Sequence, residues 1–207
     1  MRFNTLLDPK TMANTNSHLD GHRIIIGLSG GIACYKVADL VSTLVQSNYS
    51  VDVVMTDAAT RFIAPLTFES LTGRPVLDCQ WKHIDNCEPQ HIKLATNASA
   101  MLIAPCTMNM LAKLAHGITD DPVSLVASAI GRSSTPVMLA PSMNATMFDQ
   151  PATQRNLRSL ADDGFTVLDS DEGWQACRAD GQGRLLETEM LFDAITEAIE
   201  QNTTVSY

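Results

Sequence analysis

A glycine-rich turn near residue 30 is the clearest sign of chemistry in the sequence. The run Gly27-Leu28-Ser29-Gly30-Gly31 separates a β-branched apolar segment from a segment with apolar residues at helical spacing. Such a turn offers backbone amides, close approach without Cβ atoms and the positive end of a helix, which together suit a phosphate group. Neither G-x-G-x-x-G nor G-x-x-x-x-G-K-[ST] is present, so these fingerprints support neither a dinucleotide nor a P-loop nucleotide. A turn required only by chain geometry is the alternative.

Two residues at the end of the next predicted strand extend this interpretation. Thr56 adds a hydroxyl at the same edge of the sheet and favours a mononucleotide phosphate. Asp57 could instead meet a ribose, which keeps NAD as a weaker alternative.

The segment from Pro141 to Phe148 combines an amide with large, soft apolar side chains. Asn144 can both donate to and accept from a ligand, including a carboxylate. Met143 and Met147, together with Phe148, would exclude water from such a ligand. The alternative is a helix start that packs on the sheet.

Histidine and cysteine side chains supply the candidate acids and bases. His91 precedes a predicted strand and could be a general base, a ring that stacks on a ligand, or a surface residue. Cys177 lies among glycines with Arg178 and Arg184 near enough in sequence to favour the thiolate. Cys106 is a second reactive candidate, and a small buried hydrophobe is the alternative for both cysteines. The histidines have no carboxylates at metal-ligand spacing, so no metal site is predicted.

The elements that must position these residues alternate between strand and helix. Strands are predicted at residues 23–28, 51–55, 100–104, 136–140 and 165–168, with helical patterns between them and a closing helix around 190–199. This alternation predicts a three-layer α/β/α, doubly wound parallel sheet of the Rossmann or flavodoxin-like type, with ligands beyond the carboxyl ends of the strands. Pro105 and Pro141 are expected to stop their strands. We further expect a surface insertion over 74–90 and a loop over 169–183 that could act as a flap.

Composition narrows the classes of partner. The 207 residues are 45% hydrophobic and carry a net charge of −9, which opposes a general binder of nucleic acid or anionic membrane. No apolar run approaches the roughly 18 residues that span a bilayer. Five cysteines without a C-x-x-C pair indicate free thiols in a reducing compartment, hence the cytoplasm. Residues 1–21 are interpreted as a mobile polar leader and residues 22–207 as a single domain.

The motifs, taken in order, resemble those of the phosphopantothenoylcysteine decarboxylases, within the homo-oligomeric flavin-containing cysteine decarboxylases. The resemblance covers roughly residue 22 to the C-terminus. It rests on Gly27-Leu-Ser-Gly-Gly-Ile-Ala33, His91-Ile92, Ala104-Pro-Cys-Thr-Met-Asn109, Pro141-Ser-Met-Asn-Ala-Thr-Met147, and Ala176-Cys177 with Gly181-Gln-Gly-Arg184.

This resemblance implies bound FMN and assigns roles to individual residues. The implied cofactor-binding residues are Ser29, Gly30, Gly31, Ile32, Thr56, Thr107, Met108, Asn109, Met110 and Ser142. By the same resemblance, His91 would be the catalytic base and Cys177 the proton donor. Asn144 would bind the substrate carboxylate beside Met143 and Met147.

The implied reaction converts 4'-phosphopantothenoylcysteine to 4'-phosphopantetheine in coenzyme A biosynthesis. Flavin oxidation would give a thioaldehyde that loses CO2 as an enethiolate, and reduction would follow with Cys177 as proton donor. The resemblance also implies a homotrimer or a dodecamer of trimers, with FMN and His91 meeting across a subunit boundary. We expect a free-standing decarboxylase with a separate ligase partner.

Relatives with different activities supply competing hypotheses. Peptidyl-cysteine decarboxylases stop at the enethiol and lack the cysteine flap, so Cys177 favours complete turnover. A flavin prenyltransferase and a non-catalytic flavin-binding regulatory subunit are two further hypotheses. The sequence departs from the family pattern at Lys93, Met110, Phe148 and Arg178. Arg178 stands where glycine usually follows the flap cysteine, so it could change the bend of the flap or lower the thiol pKa.

Overall fold

A parallel β-sheet forms the centre of the protein. The computed structural model describes residues 21–81, 89–174, 176, 178 and 180–205. Five strands, β1 (Arg23–Leu28), β2 (Ser50–Met55), β3 (Ala100–Cys106), β4 (Val137–Pro141) and β5 (Thr166–Val167), pair in the order β2-β1-β3-β4-β5. Each of these pairs is parallel. The predicted doubly wound α/β fold is confirmed, and the strand order is that of flavodoxin-like proteins.

Helices cover both faces of this sheet. They are α1 (Cys34–Gln46), α2 (Asp57–Thr60), α3 (Pro65–Thr72), α4 (Gln90–Thr96), α5 (Met108–Ala115), α6 (Pro122–Ala129), α7 (Ala145–Phe148), α8 (Pro151–Asp162) and α9 (Thr188–Val205). Ile24 and Ile26 belong to a core cluster with α1 and α9, whereas Ile25 belongs to a second cluster with α5, α6 and α8. Because β1 is buried on both faces, its sequence is a continuous apolar run rather than an alternating one. No helix in the described ranges is long and apolar enough to cross a membrane.

Of the two prolines expected to stop strands, Pro141 is the last residue of its strand, whereas Pro105 lies inside its strand. β3 runs through Pro105 to Cys106, and β4 ends on Pro141. The pairing of β3 with β4 shifts register between Ile103 and Cys106, so Pro105 lies at an irregularity of the ladder. A bulge tolerates proline because the missing N–H is not needed there.

The expected surface insertion over 74–90 is wrong for its first part. Val76 and Leu77 are buried, and Leu77 pairs with Val54 of β2 as an isolated parallel bridge. The backbone N–H of Leu77 donates to the carbonyl of Val53, and its carbonyl accepts from Met55. The polar composition of the surrounding segment hid this short apolar pair. Cys79 and Trp81 are exposed, as a surface segment requires, and residues 82–88 of the expected insertion lie outside the described residues.

The loop expected over 169–183 contains a β-hairpin. Strands β6 (Asp171–Trp174) and β7 (Asp180–Arg184) pair antiparallel as a separate two-stranded sheet. Gly173 and Gly181 face each other in this pairing, and both have positive φ angles, 147° and 152°. Glycines at these unusual backbone angles made paired strands resemble a loop in the sequence.

Candidate functional site at the carboxyl edge of the sheet

A single cavity of about 770 Å³ lies where the first four strands end. Its wall includes the loops after β1 and β3, the two strands between which the strand order reverses. Its lining contains the residues that the resemblance assigned to cofactor or substrate: Ser29, Gly30, Gly31, Ile32, Thr56, Thr107, Met108, Asn109, Met110, Ser142, Met143, Asn144 and Met147. The structure therefore brings these four separated sequence segments to one place. In open α/β sheets this position is where ligands bind.

The glycine turn between β1 and α1 lies directly against α2. A Cβ atom at Gly30 would lie only 2.4 Å from the Cβ of Ala58, so only glycine fits the observed backbone. Ala33, the N-cap of α1, makes no side-chain capping hydrogen bond. The N–H of Cys34 donates to the carbonyl of Gly31 at 3.1 Å, and that of Lys36 donates to the carbonyl of Ala33 at 3.0 Å. The groups that suit an anion are therefore the glycine turn and the positive end of the helix dipole at the cavity.

The hydroxyl of Ser29 connects the loops that follow β1 and β3. It donates to the carbonyl of Pro105 at 2.7 Å and accepts from the backbone N–H of Thr107 at 2.9 Å. The hydroxyls of Ser29 and Thr107 lie 3.0 Å apart. Ser29 lines the cavity but is only 2% exposed, so its side chain joins the two loops and presents little surface to a ligand.

Thr56 and Thr107 both cap short helices at the edge of the cavity. The hydroxyl oxygen of Thr56 accepts from the N–H of Ala59 at 3.1 Å, and that of Thr107 accepts from Met110 at 3.4 Å. A threonine N-cap uses its oxygen as the acceptor, so its hydroxyl hydrogen can point elsewhere. Thr56 therefore keeps a donor suited to a phosphate oxygen.

Asn144 begins helix α7 at the far side of the cavity. Its side-chain oxygen accepts from the N–H of Thr146 at 2.9 Å, which makes it the N-cap. Because the oxygen serves the cap, the part of this side chain that suits a carboxylate is the amide NH2 group. Phe148, at the end of the same helix, is half-buried and does not line the cavity.

The β6–β7 hairpin forms the outer wall. The N–H of Met143 donates to the carbonyl of Gly183 at 2.8 Å, which attaches β7 to the segment after β4. Gly181 packs so closely on α7 that a Cβ there would lie 2.8 Å from the Cβ of Ala145. Arg178, between the two strands, has a φ of +64°, the left-handed conformation that glycine adopts most readily. This explains physically why glycine suits that position.

Three cations also line the cavity, and each has carboxylate partners. Arg184 is among the residues named from the sequence, whereas sequence reasoning missed Lys36 and Lys113. Lys36 lies 3.0 Å from Glu187, and Arg184 also pairs with Glu187. Lys113 lies 2.6 Å from Asp120 and 2.7 Å from Asp121, the N-cap of α6.

These ion pairs lower the pKa of their carboxyl groups. The hydrogen bond from Lys36 lowers the pKa of Glu187, and that from Lys113 lowers the pKa of Asp120. The position of Lys36 in the first turn after the glycine loop was the sequence signal that could have identified it.

His91 does not line the cavity of this chain. It is half-buried in the first turn of α4, which packs against α6. Both helices precede parallel strands, so their first turns lie at the same edge of the sheet as the cavity. Cys177 falls between β6 and β7 and lies outside the described residues.

The second cysteine candidate is not a nucleophile. Cys106 is fully buried in β3, and burial raises the pKa of its thiol far above the ordinary range. Cys34, the first residue of α1, is also buried, and its sulfur contacts the carbonyl oxygen of Ser29 at 3.3 Å. Both are small buried hydrophobes, so the hypothesis of a reactive Cys106 is wrong. Among the described residues, no group of three His, Cys, Asp or Glu side chains could hold a metal ion.

The fold and the cavity define an open α/β protein with a glycine-rich loop at its switch point. The sequence profile of the family described as Flavoprotein matches residues 12–200, and the chain belongs to this family.

Curated relatives carry the same sequence pattern. The chain is 39% identical over 171 residues to the "Coenzyme A biosynthesis bifunctional protein CoaBC" of Bacillus subtilis (strain 168), covering 83% of this chain and 41% of that protein. It is 42% identical over 169 residues to the protein of the same name from Vibrio cholerae, covering 82% of this chain and 42% of that protein. The chain thus spans less than half the length of these relatives.

Solved structures share the fold. A "PPC decarboxylase" variant "complexed with pantothenoylaminoethenethiol" superposes with a TM-score of 0.77 at 25% identity, covering 87% of this chain and 99% of that chain. The FMN-dependent cysteine decarboxylase SpaF superposes with a TM-score of 0.74 at 28% identity, covering 88% of this chain and 97% of that chain.

Proposed function

We propose that this chain binds FMN and decarboxylates 4'-phosphopantothenoylcysteine to 4'-phosphopantetheine, a step of coenzyme A biosynthesis. The observation that carries the proposal is the cavity at the β1/β3 switch point, whose lining unites the residues that the resemblance assigned to cofactor and substrate. Flavodoxin-like sheets hold FMN at this point. The names of the CoaBC relatives and of the PPC decarboxylase structure support the same reaction.

The residues present suit a flavin mononucleotide. The phosphate would be held by the start of α1, by the hydroxyl of Thr56 and by the turn at Gly30, where the lack of a Cβ lets the backbone come close. The start of α5, from Met108 to Met110, would lie beside the ring system. When bound, FMN supplies reversible two-electron chemistry, and the protein supplies orientation and a water-poor site.

The chain's own residues would orient the substrate and move its protons. The amide of Asn144 would donate to the carboxylate that leaves as CO2, with Met143 and Met147 excluding water. His91 would accept the proton of the substrate thiol. Cys177 would return a proton to the carbon that carried the carboxylate. With the two electrons of the oxidation also returned by the cofactor, turnover would end at the saturated thiol.

The position of His91 supports a site completed by a second copy of the chain. His91 lies outside the single-chain cavity, and its neighbour Ile92 is 49% exposed. At the cavity mouth, Ile32 and Tyr35 are 58% and 64% exposed. Exposed apolar side chains at two separate places favour a ring of identical subunits, in which one patch covers the other. We propose a homotrimer, alone or as a dodecamer of trimers.

We also propose bounds for the domain and a cellular compartment. Residues 22–207 would form one flavoprotein domain, with 1–21 as a polar leader. The free thiols of Cys34, Cys79 and Cys106 fit a reducing compartment such as the cytoplasm.

The deciding experiment is to incubate the purified yellow protein with 4'-phosphopantothenoylcysteine and to identify the product by mass. Loss of CO2 with 4'-phosphopantetheine as product supports the full reaction. A product two hydrogens lighter would instead indicate the enethiol of a peptidyl-cysteine decarboxylase. A colourless protein without a mass change would contradict the proposal.

Two variants test the assigned roles in the same assay. His91→Asn is expected to retain flavin and to release no CO2, and normal turnover would contradict its role as base. Cys177→Ser is expected to accumulate the enethiol, and a full yield of 4'-phosphopantetheine would contradict its role as proton donor.

Mixing tests whether His91 acts across a subunit boundary. His91→Asn and Asn144→Ala chains, each inactive alone, are unfolded together and reassembled. If one site takes these residues from different chains, random reassembly restores about a quarter of the sites. No recovery in confirmed mixed oligomers would place both residues in sites of one chain.

A further inference from the structure

An exposed tryptophan stands at the mouth of the cavity. Trp174, the last residue of β6, lines the cavity, yet it is 62% exposed. Met147, which also lines the cavity, is 43% exposed. A large aromatic side chain left in water beside a ligand cavity indicates a surface that a ligand covers.

The hairpin that carries Trp174 is attached to the rest of the protein through β7. β7, the partner strand of β6, is attached through the hydrogen bond between Met143 and Gly183. Arg184 at the end of β7 pairs with Glu187, which in turn pairs with Lys36 of α1. These contacts attach β7, the strand paired with β6, to the segment after β4 and to α1, so the hairpin that carries Trp174 is part of the cavity wall.

Different lining groups suit different parts of the proposed cofactor and substrate. The turn before α1 suits the phosphate of the cofactor, and the amide of Asn144 suits the carboxylate of the substrate. Trp174 and Met147 offer apolar surface instead. The substrate of the proposed reaction has one stretch without charge, the branched aliphatic and amide arm between its phosphate and its cysteinyl end. An indole covers such an arm with a large area and with few rotatable bonds to order.

We propose that Trp174 is a specificity-determining residue that packs on the uncharged arm of 4'-phosphopantothenoylcysteine and selects this substrate over a peptide that ends in cysteine. The inference rests on the proposed function and adds to it the side chain that recognises the arm. A peptide would place extended backbone with alternating side chains against the indole, where the arm of the substrate presents its branched aliphatic part.

Fluorescence gives a readout that does not depend on turnover. The chain has two tryptophans, and the second, Trp81, is 79% exposed and does not line the cavity. In a Trp81→Phe holoprotein, emission therefore comes from Trp174 alone. Titration with 4'-phosphopantothenate, which carries the arm but no cysteine, is expected to give a saturable change in emission. The Trp174→Phe holoprotein, which retains Trp81, is expected to give none.

Kinetics test the selection itself. Trp174→Ala is expected to raise KM for 4'-phosphopantothenoylcysteine on the order of tenfold. We expect kcat to stay within about twofold, since the contact is made equally in ground and transition states. KM for a cysteine-terminated peptide should not rise, and Trp174→Phe should recover most of the loss. Trp81→Ala is the matched control and is expected to behave as wild type.

The outcomes separate this inference from the proposed function. Turnover by the wild type, with unchanged KM in Trp174→Ala and no emission change, would overturn the inference and leave the function intact. No turnover with a saturable emission change would support the contact and refute the reaction. The absence of both would refute both.

Discussion

Replacing Gly30 by alanine tests whether the turn after β1 is shaped for a phosphate group. An alanine Cβ at this position would lie 2.4 Å from the Cβ of Ala58, 2.9 Å from its carbonyl carbon and 3.1 Å from its carbonyl oxygen. Carbon atoms pack best about 3.5–4.0 Å apart, so either the turn or α2 must move by about 1 Å. Overpacking of this kind costs about 1–3 kcal/mol of unfolding free energy.

The adjacent glycine is the matched control. A Cβ at Gly31 would find its nearest neighbour, Cγ2 of Thr107, at 3.5 Å, which is ordinary contact. Gly31→Ala is therefore expected to leave the unfolding free energy within about 0.5 kcal/mol of wild type. Both variants change one hydrogen to a methyl group in the same turn, so their difference isolates the contact with Ala58.

The assay is denaturant unfolding without added flavin and again at saturating FMN. Without flavin, Gly30→Ala should unfold with about 1–3 kcal/mol less free energy than Gly31→Ala, equivalent to roughly 2–12 °C in Tm. With FMN, the stabilisation of Gly30→Ala should be smaller than that of wild type, because a displaced turn binds the phosphate less tightly. Equal unfolding free energies for the two variants would show that the turn can move away from α2 without loss of stability. That result would refute the conclusion that only glycine fits at residue 30.

Three further predictions concern the cavity wall. Asn144→Ala removes the cap to Thr146 and should lower the unfolding free energy by about 1 kcal/mol. Asn144→Asp should keep the cap but abolish turnover, because its carboxylate repels that of the substrate. Equal turnover in Asn144→Asp and wild type would contradict the assignment. Arg178→Gly should gain about 1 kcal/mol in denaturant unfolding because it relieves the left-handed φ, and Arg178→Ala should gain nothing. Lys36 lowers the pKa of Glu187, so the stability from this pair is present above the ordinary value of 4.5 and is lost as pH falls through the lowered pKa. Glu187→Gln should therefore show a shallower fall in Tm on acidification below that value, and an unchanged slope would exclude the pair as its source.

The sheet could be predicted from the sequence because its strands are buried on both faces. The run from Ile24 to Ile26 is apolar without interruption, which suits only a strand covered by two layers. Pro105 misled the prediction because a β-bulge is a property of the pairing with β4, which local sequence does not show. The burial of Leu77 likewise depends on its contact with Val54, a residue distant along the chain.

The cavity could be predicted in outline because parallel strands bring their carboxyl ends together. That rule united Gly30, Thr107 and Asn144 from separate segments. It could not reveal that the hydroxyl of Ser29 donates to the carbonyl of Pro105, because this hydrogen bond depends on the distance between two loops. It also missed Lys113 and Trp174, whose side chains reach the cavity from outside the strand ends.

The hairpin of β6 and β7 shares no strand with the five-stranded sheet. The cradle around Gly30 depends on β1, α1 and α2, whereas Trp174 and Arg184 belong to the hairpin. β7 meets the rest of the cavity wall through the hydrogen bond of Met143 with Gly183, through the packing of Gly181 on Ala145, and through Arg184, which shares Glu187 with Lys36 of α1. A protein built in this way is modular: the hairpin can be exchanged or lengthened to accept another substrate while the cradle, and the cofactor it would hold, is inherited unchanged.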